Sequence, residues 1–243
     1  MRAPAIEIET NADLNSVHLN AVHYSRSMPE SSNVRPSGGR HSKEDVAATA
    51  LLILDQFGLP DLTMRRLASA LDVQPGALYW HFPNKQALIA ELADRILAPA
   101  KVPTDEGQGW EACTQTVAAG LRDAILAYRD GAEVVTSTLA LGLGATDLIE
   151  LFAASIRNGG FDPQTARRAS TALVHLVLGH VGQEQQRLQY DSLGVVVDGA
   201  TPDDARRETE QDDSFAFGVA LLIRGLTALE ADLTSADSFV RGR

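Results

Sequence analysis

The chain lacks the features that mark several protein classes. Its 243 residues contain one cysteine, Cys113, so no intramolecular disulfide can form, and a reducing compartment, the cytoplasm, is predicted. The apolar stretches are interrupted and far shorter than the roughly 20 residues that span a bilayer. The N-terminal segment has neither the basic start nor the apolar core of a secretory signal. These absences argue against secreted and membrane-embedded proteins.

Aromatic residues are also scarce, at 5% of the chain, whereas hydrophobic residues as a group make up 44%. Alanine and leucine dominate, and both lose little side-chain freedom in a helix. The sequence contains no alternating polar and apolar segment long enough to predict a strand. We therefore predict an all-α fold with a sizeable hydrophobic core.

Start and stop signals divide the chain into about nine to ten helices. Residues 1–40 lack helical periodicity and are rich in Ser, Pro, Gly and Arg, which predicts a disordered N-terminal tail. Beyond it, Ser42 and Asp45 form an expected capping pair, Gly58 ends the first helix, and Asn84 caps the fourth. The predicted helices cover residues 42–57, 63–71, 75–82, 84–97, 110–128, 133–140, 146–158, 162–190 and 214–232, with a polar loop before the last.

Residues 63–85, within LTMRRLASALDVQPGALYWHFPNK, have the pattern of a helix-turn-helix. Ala68 is small enough to let a second helix approach, and Asp72 stands at the turn, where a positive φ is needed. The apolar contacts between the two helices are assigned to Leu67, Leu71, Val73 and Leu78. A helix-turn-helix docks on duplex DNA, although many other helical hairpins satisfy this pattern.

Three adjacent side chains, Tyr79, Trp80 and His81, follow on the short third helix. Leu78 and Phe82 form the buried stripe of that helix, so the three side chains between them are predicted to lie largely outside. Exposed aromatic side chains are costly unless a partner covers them, which favours a DNA-contacting surface. The alternative is that Trp80 packs on the following helix instead.

The net charge of −11 is concentrated outside this segment. Residues 35–85 carry six Lys or Arg against five acidic side chains, a net charge of +1, whereas residues 86–243 carry 13 basic and 23 acidic residues. Phosphate binding depends on the charge near the duplex rather than on the total. The charge therefore neither proves nor excludes DNA binding, and Arg35 and Arg40 in the tail either contact phosphates or play no part.

Several motifs resemble the TetR family of transcriptional regulators. The LYWHFPNKQAL run with the upstream L-T-x-R-x-L-A helix is similar to the family's DNA-binding domain, and the Arg129-Asp130-Gly131-Ala132 turn is similar to one in its regulatory domain. Residues 175–186 and 214–226 resemble its dimer-forming helices. The resemblance implies a three-helix helix-turn-helix domain over residues 41–86, a ligand-binding and dimerisation domain over 87–234 and a C-terminal tail over 235–243.

The resemblance also implies which residues contact DNA. Arg65 is expected to bind a guanine through its two-pronged guanidinium, Gln74 to read an adenine and Ala77 to touch a thymine methyl. Gly76 is costly in a helix, and a close approach of the backbone to DNA would explain it. The expected DNA-binding set is Thr63, Met64, Arg65, Gln74, Pro75, Gly76, Ala77, Tyr79, Trp80, His81 and Lys85, with Tyr79, His81 and Lys85 on phosphates.

The regulatory half is expected to bind a small organic effector. The family's tetracycline-binding members hold a drug-bound magnesium through a histidine and a glutamate, and this chain has Val135 and Gln183 at those positions. Tetracycline–magnesium is therefore not expected, and no metal or other cofactor is predicted. The lining implied by the resemblance is apolar with one hydroxyl and suits a hydrophobic effector: Val117, Leu121, Val135, Thr138, Phe152, Val174 and His175. A histidine such as His175 is more often a hydrogen-bonded core or interface residue than a ligand contact.

These patterns favour a homodimeric repressor that a hydrophobic small molecule releases from its DNA operator. Broad apolar faces on the last two helices are typical of a four-helix dimer interface, although pattern alone leaves open that both serve a monomer core. The alternative is a helical enzyme or small-molecule carrier with a vestigial DNA-binding head. The sequence shows no nucleophile elbow, phosphate-binding glycine loop or other catalytic motif, so no enzyme is expected. An activator with the same head would differ only in operator position.

Overall fold

The computed structural model describes residues 41–100, 107–145, 147–192, 211 and 213–229. All regular secondary structure within these ranges is helical, which confirms the predicted all-α fold. None of the described helices is long and apolar enough to cross a membrane. The helices are α1 (Lys43–Phe57), α2 (Met64–Ala70), α3 (Pro75–Leu78), α4 (Lys85–Leu97), α5 (Trp110–Leu126), α6 (Gly131–Leu141), α7 (Asp147–Asn158), α8 (Pro163–Ser192) and α9 (213–229).

Local signals in the sequence set the ends of the first helix. The Ser42 hydroxyl accepts a hydrogen bond from the Asp45 backbone N–H at 3.1 Å, while the Asp45 carboxylate accepts from the Ser42 N–H at 2.8 Å. This confirms the predicted capping pair, which satisfies backbone donors that the helix start leaves unpaired. At the other end, Gly58 adopts a φ of 83° and ends α1 as predicted.

The third helix is shorter than predicted. It covers Pro75–Leu78 rather than residues 75–82. Beyond it, the backbone N–H groups of both His81 and Phe82 donate to the Leu78 carbonyl at 3.0 Å, so the chain closes a tight turn instead of continuing as a regular helix. Leu78 and Phe82 are nevertheless buried together, at 1% and 2% exposure, as the predicted stripe requires.

One hydrophobic cluster runs from α1 to α9. It includes Leu54, Leu67, Leu78 and Leu88 in the first four helices and continues into the later ones without a break. Helix α4 packs against α1 and also against α5 and α6, so it joins the first three helices to the rest. The predicted domain boundary at residues 86 and 87 falls inside α4 and remains a prediction.

Helices α5, α7 and α8 pack against one another in the second half of the chain. Trp110 at the start of α5 makes an edge-on contact with Phe161, with ring centroids 4.9 Å apart. The Asp162 carboxylate caps α8 by accepting from the backbone N–H groups of Gln164 and Thr165 at 2.9 and 3.1 Å. The predicted helix start at Asp162-Pro163 is therefore confirmed.

Several predictions concern residues outside the described ranges. These are the N-terminal tail over residues 1–40 with Arg35 and Arg40, most of the polar loop before the last helix, and the C-terminal tail over 235–243. They remain predictions.

Candidate DNA-binding surface and regulatory core

Helix α2 begins with a capping threonine at one end of the candidate DNA-binding surface. The Thr63 hydroxyl accepts from the Arg66 backbone N–H at 3.1 Å, and the Thr63 and Arg65 side chains are both exposed. Capping uses an oxygen lone pair, so the hydroxyl proton of Thr63 stays available to a phosphate. The predicted backbone-contacting set of Thr63, Met64 and Arg65 is therefore grouped at one helix start.

The two neighbouring arginines of α2 have different surroundings. Arg66 forms an ion pair with Asp61 at 2.6 Å, and its guanidinium carbon lies 3.8 Å from the centroid of the Phe57 ring. Arg65 is exposed, and no ion pair is found for it among the described residues. Arg65 therefore has the guanidinium that a base or phosphate can bind without first breaking a contact within the protein.

The turn after α2 fixes the angle at which α3 leaves. Asp72 adopts a φ of 52°, which confirms the predicted left-handed residue. The Val73 N–H donates to the Ala68 carbonyl at 3.0 Å and the Asp72 N–H to the Ser69 carbonyl at 3.3 Å. This pair of bonds is the Schellman arrangement that ends many helices, here with aspartate in the place usually held by glycine. Ala68 itself is 1% exposed, because α3 packs closely over it.

The start of α3 presents small and polar residues to the outside. Gln74 precedes the helix and makes no side-chain capping bond, and Pro75 is its first residue. Gln74, Gly76 and Ala77 are exposed, and a Cβ atom built on Gly76 would meet nothing within 4 Å. Packing within the described protein therefore does not require a glycine at position 76, and its expected close approach to DNA remains a prediction.

The aromatic residues after α3 lie on the surface, as predicted. Trp80 is 87% exposed and Tyr79 is 50% exposed, while His81 is partly buried. An indole exposed to this extent does not pack on the following helix, so the alternative role considered for Trp80 is not observed. The exposed rings extend the surface formed by the starts of α2 and α3.

Lys85 differs from its neighbours on this surface. Asn84 caps α4 by accepting from the Ala87 N–H at 2.8 Å, which confirms its predicted role. The Lys85 side chain is partly buried, and its Nζ atom lies 3.5 Å from the Leu59 carbonyl oxygen. At that distance the bond is weak, so the ammonium can leave it for a phosphate.

Six of the seven predicted effector-binding residues are buried, and the five apolar ones among them belong to the hydrophobic cluster. His175 differs, because its side chain on α8 is exposed. The hydroxyl of Thr138 donates to the Val134 carbonyl at 2.8 Å, so it is already satisfied within α6. The buried six come from four helices that pack together: Val117 and Leu121 from α5, Val135 and Thr138 from α6, Phe152 from α7 and Val174 from α8.

Sequence reasoning missed a cleft between α6 and the first part of the chain. It has a volume of about 310 Å³. Thr138 is the one predicted effector-binding residue on its wall, and Lys85 is the one predicted DNA-binding residue there. No local signal identifies such a cleft, because its walls are 25 or more residues apart in sequence. Its lining is Leu59, Pro60, Lys85, Gln86, Ile89, Glu133, Ser137, Thr138 and Leu141.

Comparison with known proteins agrees with these two parts of the chain. Residues 46–92 match the family model of the bacterial regulatory proteins of the tetR family, and residues 102–229 match the tetracyclin repressor-like C-terminal domain. The tetracycline repressor protein class E of Escherichia coli is 34% identical over 203 residues, which cover 78% of this chain and 92% of the repressor.

Solved structures show the same relationship. The crystal structure of Mycobacterium smegmatis BioQ has a TM-score of 0.68 and 39% identity, and the match covers 77% of this chain and 98% of that one. BioQ crystallised with its double-stranded DNA operator matches with a TM-score of 0.64 and 38% identity, over 77% of this chain and 99% of that one. The chain therefore belongs to the TetR family of bacterial DNA-binding transcriptional regulators.

Proposed function

We propose that the chain is a cytoplasmic, homodimeric repressor that a hydrophobic small molecule releases from its operator. The observation that carries the proposal is the exposed surface formed by the starts of α2 and α3 and the aromatic residues after α3. It combines the Arg65 guanidinium, which makes no ion pair among the described residues, the Gln74 amide, which makes no capping bond to α3, and the exposed Trp80 ring. The operator-bound BioQ structure supports this use of the fold.

The residue types on this surface suit the edges and backbone of duplex DNA. An arginine can donate two hydrogen bonds to the two acceptors of guanine, and a glutamine can do the same for adenine. Tyr79, His81 and Lys85 have groups that donate to phosphate oxygens, which position a protein without reading sequence. We therefore assign base reading to Arg65 and Gln74 and positioning to the others.

The dimer is supported by apolar side chains that α8 and α9 leave exposed in the single chain. Leu188 and Tyr190 on α8 are 59% and 58% exposed, and Phe217 and Leu221 on α9 are 70% and 60% exposed. Two such helices from each copy would bury these surfaces in a four-helix bundle. Two heads held about 34 Å apart would then meet successive turns of the major groove.

The buried part of the core supports an uncharged effector. The Thr114 and Ser155 hydroxyl oxygens lie 2.9 Å apart, and each is within hydrogen-bond distance of a carbonyl of its own helix, so each hydroxyl proton has an acceptor inside the protein. An ionised ligand needs a charged or strongly polar partner when it is taken out of water. A mostly apolar molecule that expands the packing around Val117, Leu121 and Phe152 fits this environment best.

Release would follow from the packing of α4. A ligand shifts DNA binding only if it binds the released shape more tightly than the DNA-bound one. Helix α4 contacts α5 and α6, which carry four of the proposed lining residues, and it leads back to the head. A ligand that displaces α6 would therefore move α4 and change the separation of the two heads.

The test has a DNA part and a ligand part. Purified protein is first used to select duplexes from a random library, and a recovered two-fold-symmetric site supports the DNA function. Candidate metabolites are then screened by thermal shift, with release of that duplex as the second readout. Each neutral hit is compared with a carboxylated analogue that has the same carbon skeleton. Release of the duplex by the neutral compound alone supports the proposed effector class, whereas release by the charged analogue alone contradicts it. Catalytic turnover without DNA affinity would favour the enzyme or carrier alternative.

A further inference from the structure

Asp130 joins three separate parts of the chain. It precedes α6 with a φ of 55°, and only 7% of it is exposed. One carboxylate oxygen, Oδ2, accepts from the backbone N–H of Leu59, in the loop after α1, at 2.7 Å. The other, Oδ1, accepts from the side-chain amide of Gln189 on α8. The carboxylate therefore bridges the DNA-binding head and α8.

A second glutamine, one turn earlier on α8, holds the same turn. The Gln185 Oε1 atom accepts from the Ala132 N–H at 3.0 Å, and its Nε2 atom donates to the Tyr128 carbonyl at 2.8 Å. Gln185 is 8% exposed, so these bonds are sheltered from water. The turn from Tyr128 to Ala132 is thus attached to α8 on both sides of Asp130.

The loop of the head is shaped around the carboxylate. A Cβ atom on Gly58 would lie 2.7 Å from the Asp130 Oδ2 atom, closer than a Cβ atom approaches an oxygen to which it is not bonded. Gly58 also has a φ of 83°, which few other residues adopt. Nearby, the Arg129 guanidinium donates to the Gln56 carbonyl at 3.3 Å. The head loop and the turn therefore fit together through several independent contacts.

We propose that this junction, made by Asp130, Gln185, Gln189 and the Leu59 N–H, is a second connection that fixes the head to α8, in parallel with α4. Asp130 is its central positioning residue. Without the carboxylate the buried Leu59 N–H would lose its partner, which disfavours the observed head position relative to others. Helix α8 carries part of the proposed dimer surface. A movement of α8 would therefore shift the head through this junction as well as through α4. The regulatory meaning of the connection rests on the proposed function, but its geometry does not.

The experiment measures the distance between head and α8 within one protomer. Spin labels are placed on Ser69→Cys in α2 and Gln164→Cys in α8, both exposed positions, in a Cys113→Ser background. Doubly labelled protein is mixed with an excess of unlabelled protein, so that pulsed electron paramagnetic resonance reports distances within one chain. Neither DNA nor effector is present, so failure of this proposal and failure of the proposed function are distinguishable.

Two variants separate the carboxylate from the backbone conformation. Asp130→Gly tolerates the left-handed φ but has no acceptor for Leu59 or Gln189. Asp130→Asn also tolerates that φ, keeps an oxygen for the Leu59 N–H, and can donate to the Gln189 amide oxygen once that amide turns. The expected result is a single narrow distance for the parent and Asp130→Asn, and loss of that narrow distance in Asp130→Gly.

The proposal is overturned if folded Asp130→Gly keeps the narrow distance of the parent. Circular dichroism and thermal unfolding establish folding for each variant below its melting temperature. If Asp130→Gly does not fold, Gln189→Ala decides by the same criterion, because it removes the α8 side chain that bonds the Asp130 carboxylate and leaves the Asp130–Leu59 bond and the Gln185 bonds in place. A broadened distance in folded Gln189→Ala supports the connection through the Asp130 carboxylate, and an unchanged one refutes it.

Discussion

Replacing Gly76 by alanine is expected to stabilise the protein and to weaken its binding to DNA. A Cβ atom at this position meets nothing within 4 Å, and no positive φ demands a glycine. Alanine restricts the unfolded chain more than glycine does, and a compatible Gly→Ala change stabilises by about 0.4–1 kcal/mol. Because α3 has only four residues, we expect a gain near the lower end of that range.

The effect on DNA has the opposite sign. If the α3 backbone touches DNA at Gly76, the added methyl group takes space that the duplex occupies. Adding a methyl group to a close-packed contact typically costs about 1–3 kcal/mol, which corresponds to a loss of about 5- to 150-fold in affinity. A general folding defect cannot produce this combination of higher stability and lower affinity.

Gly120 provides the matched control. It lies within α5, away from the proposed DNA surface, and a Cβ atom there also meets nothing within 4 Å. Thermal unfolding and fluorescence anisotropy with the selected duplex are measured for both variants. Gly120→Ala should gain stability and keep its affinity. Full affinity in a stable Gly76→Ala variant would refute the assignment of the α3 start to the DNA contact.

Four further predictions test individual assignments. Arg65→Ala should lower operator affinity by about 1–3 kcal/mol and relax the preference at one base position. The Arg66 guanidinium is held by Asp61, so Arg66→Ala should change the free energy of unfolding slightly and leave the sequence preference in a parallel selection unchanged. Lys85→Ala should weaken binding to all duplexes alike and reduce the slope of log affinity against log salt by about one; a loss confined to one sequence would contradict this. Asp72→Ala should lower the free energy of unfolding by about 1 kcal/mol, and Asp72→Gly should restore it, because the turn needs a positive φ. Equal denaturation midpoints for the alanine and glycine variants would contradict this explanation. The Lys43 ammonium, helped by Arg95, holds the pKa of Glu91 below its ordinary value of 4.5. The ionised Glu91 therefore stabilises the fold above pH 4.5, and this stabilisation is lost as the pH falls through the lowered pKa. Glu91→Gln should remove that part of the fall in melting temperature at acid pH, and an unchanged fall would contradict the assignment.

Local rules predicted the turn and the helix caps of the head. Asp72 could be assigned a positive φ from sequence because few residues other than glycine adopt it, and the structure gives 52°. The caps by Ser42 and Asn84 were equally visible, because each depends on residues three positions apart. The end of α3 was predicted too late, because the apolar spacing of Leu78 and Phe82 fits a tight turn as well as a helix.

Contacts between distant residues were not predictable in the same way. Asp130 was recognisable as part of a familiar turn, but its bond to Leu59 joins residues 71 positions apart and leaves no periodic pattern. The orientation of Lys85 towards the Leu59 carbonyl likewise depends on how α1 and α4 pack. The left-handed φ of 55° at Ala145 had no signal at all, since alanine rarely adopts it. These features follow from tertiary packing rather than from local preference.

The most direct test of the central claim is a competition binding measurement with the duplex selected from the random library. Purified, ligand-free protein is titrated against labelled duplex in the presence of random-sequence competitor at several salt concentrations. The account predicts a two-fold-symmetric site that resists the competitor and is lost steadily as salt rises, since phosphate contacts release counterions. A folded dimer that shows no preference for any duplex over random competitor, even at low salt, would contradict the assignment of the exposed α2–α3 surface to DNA.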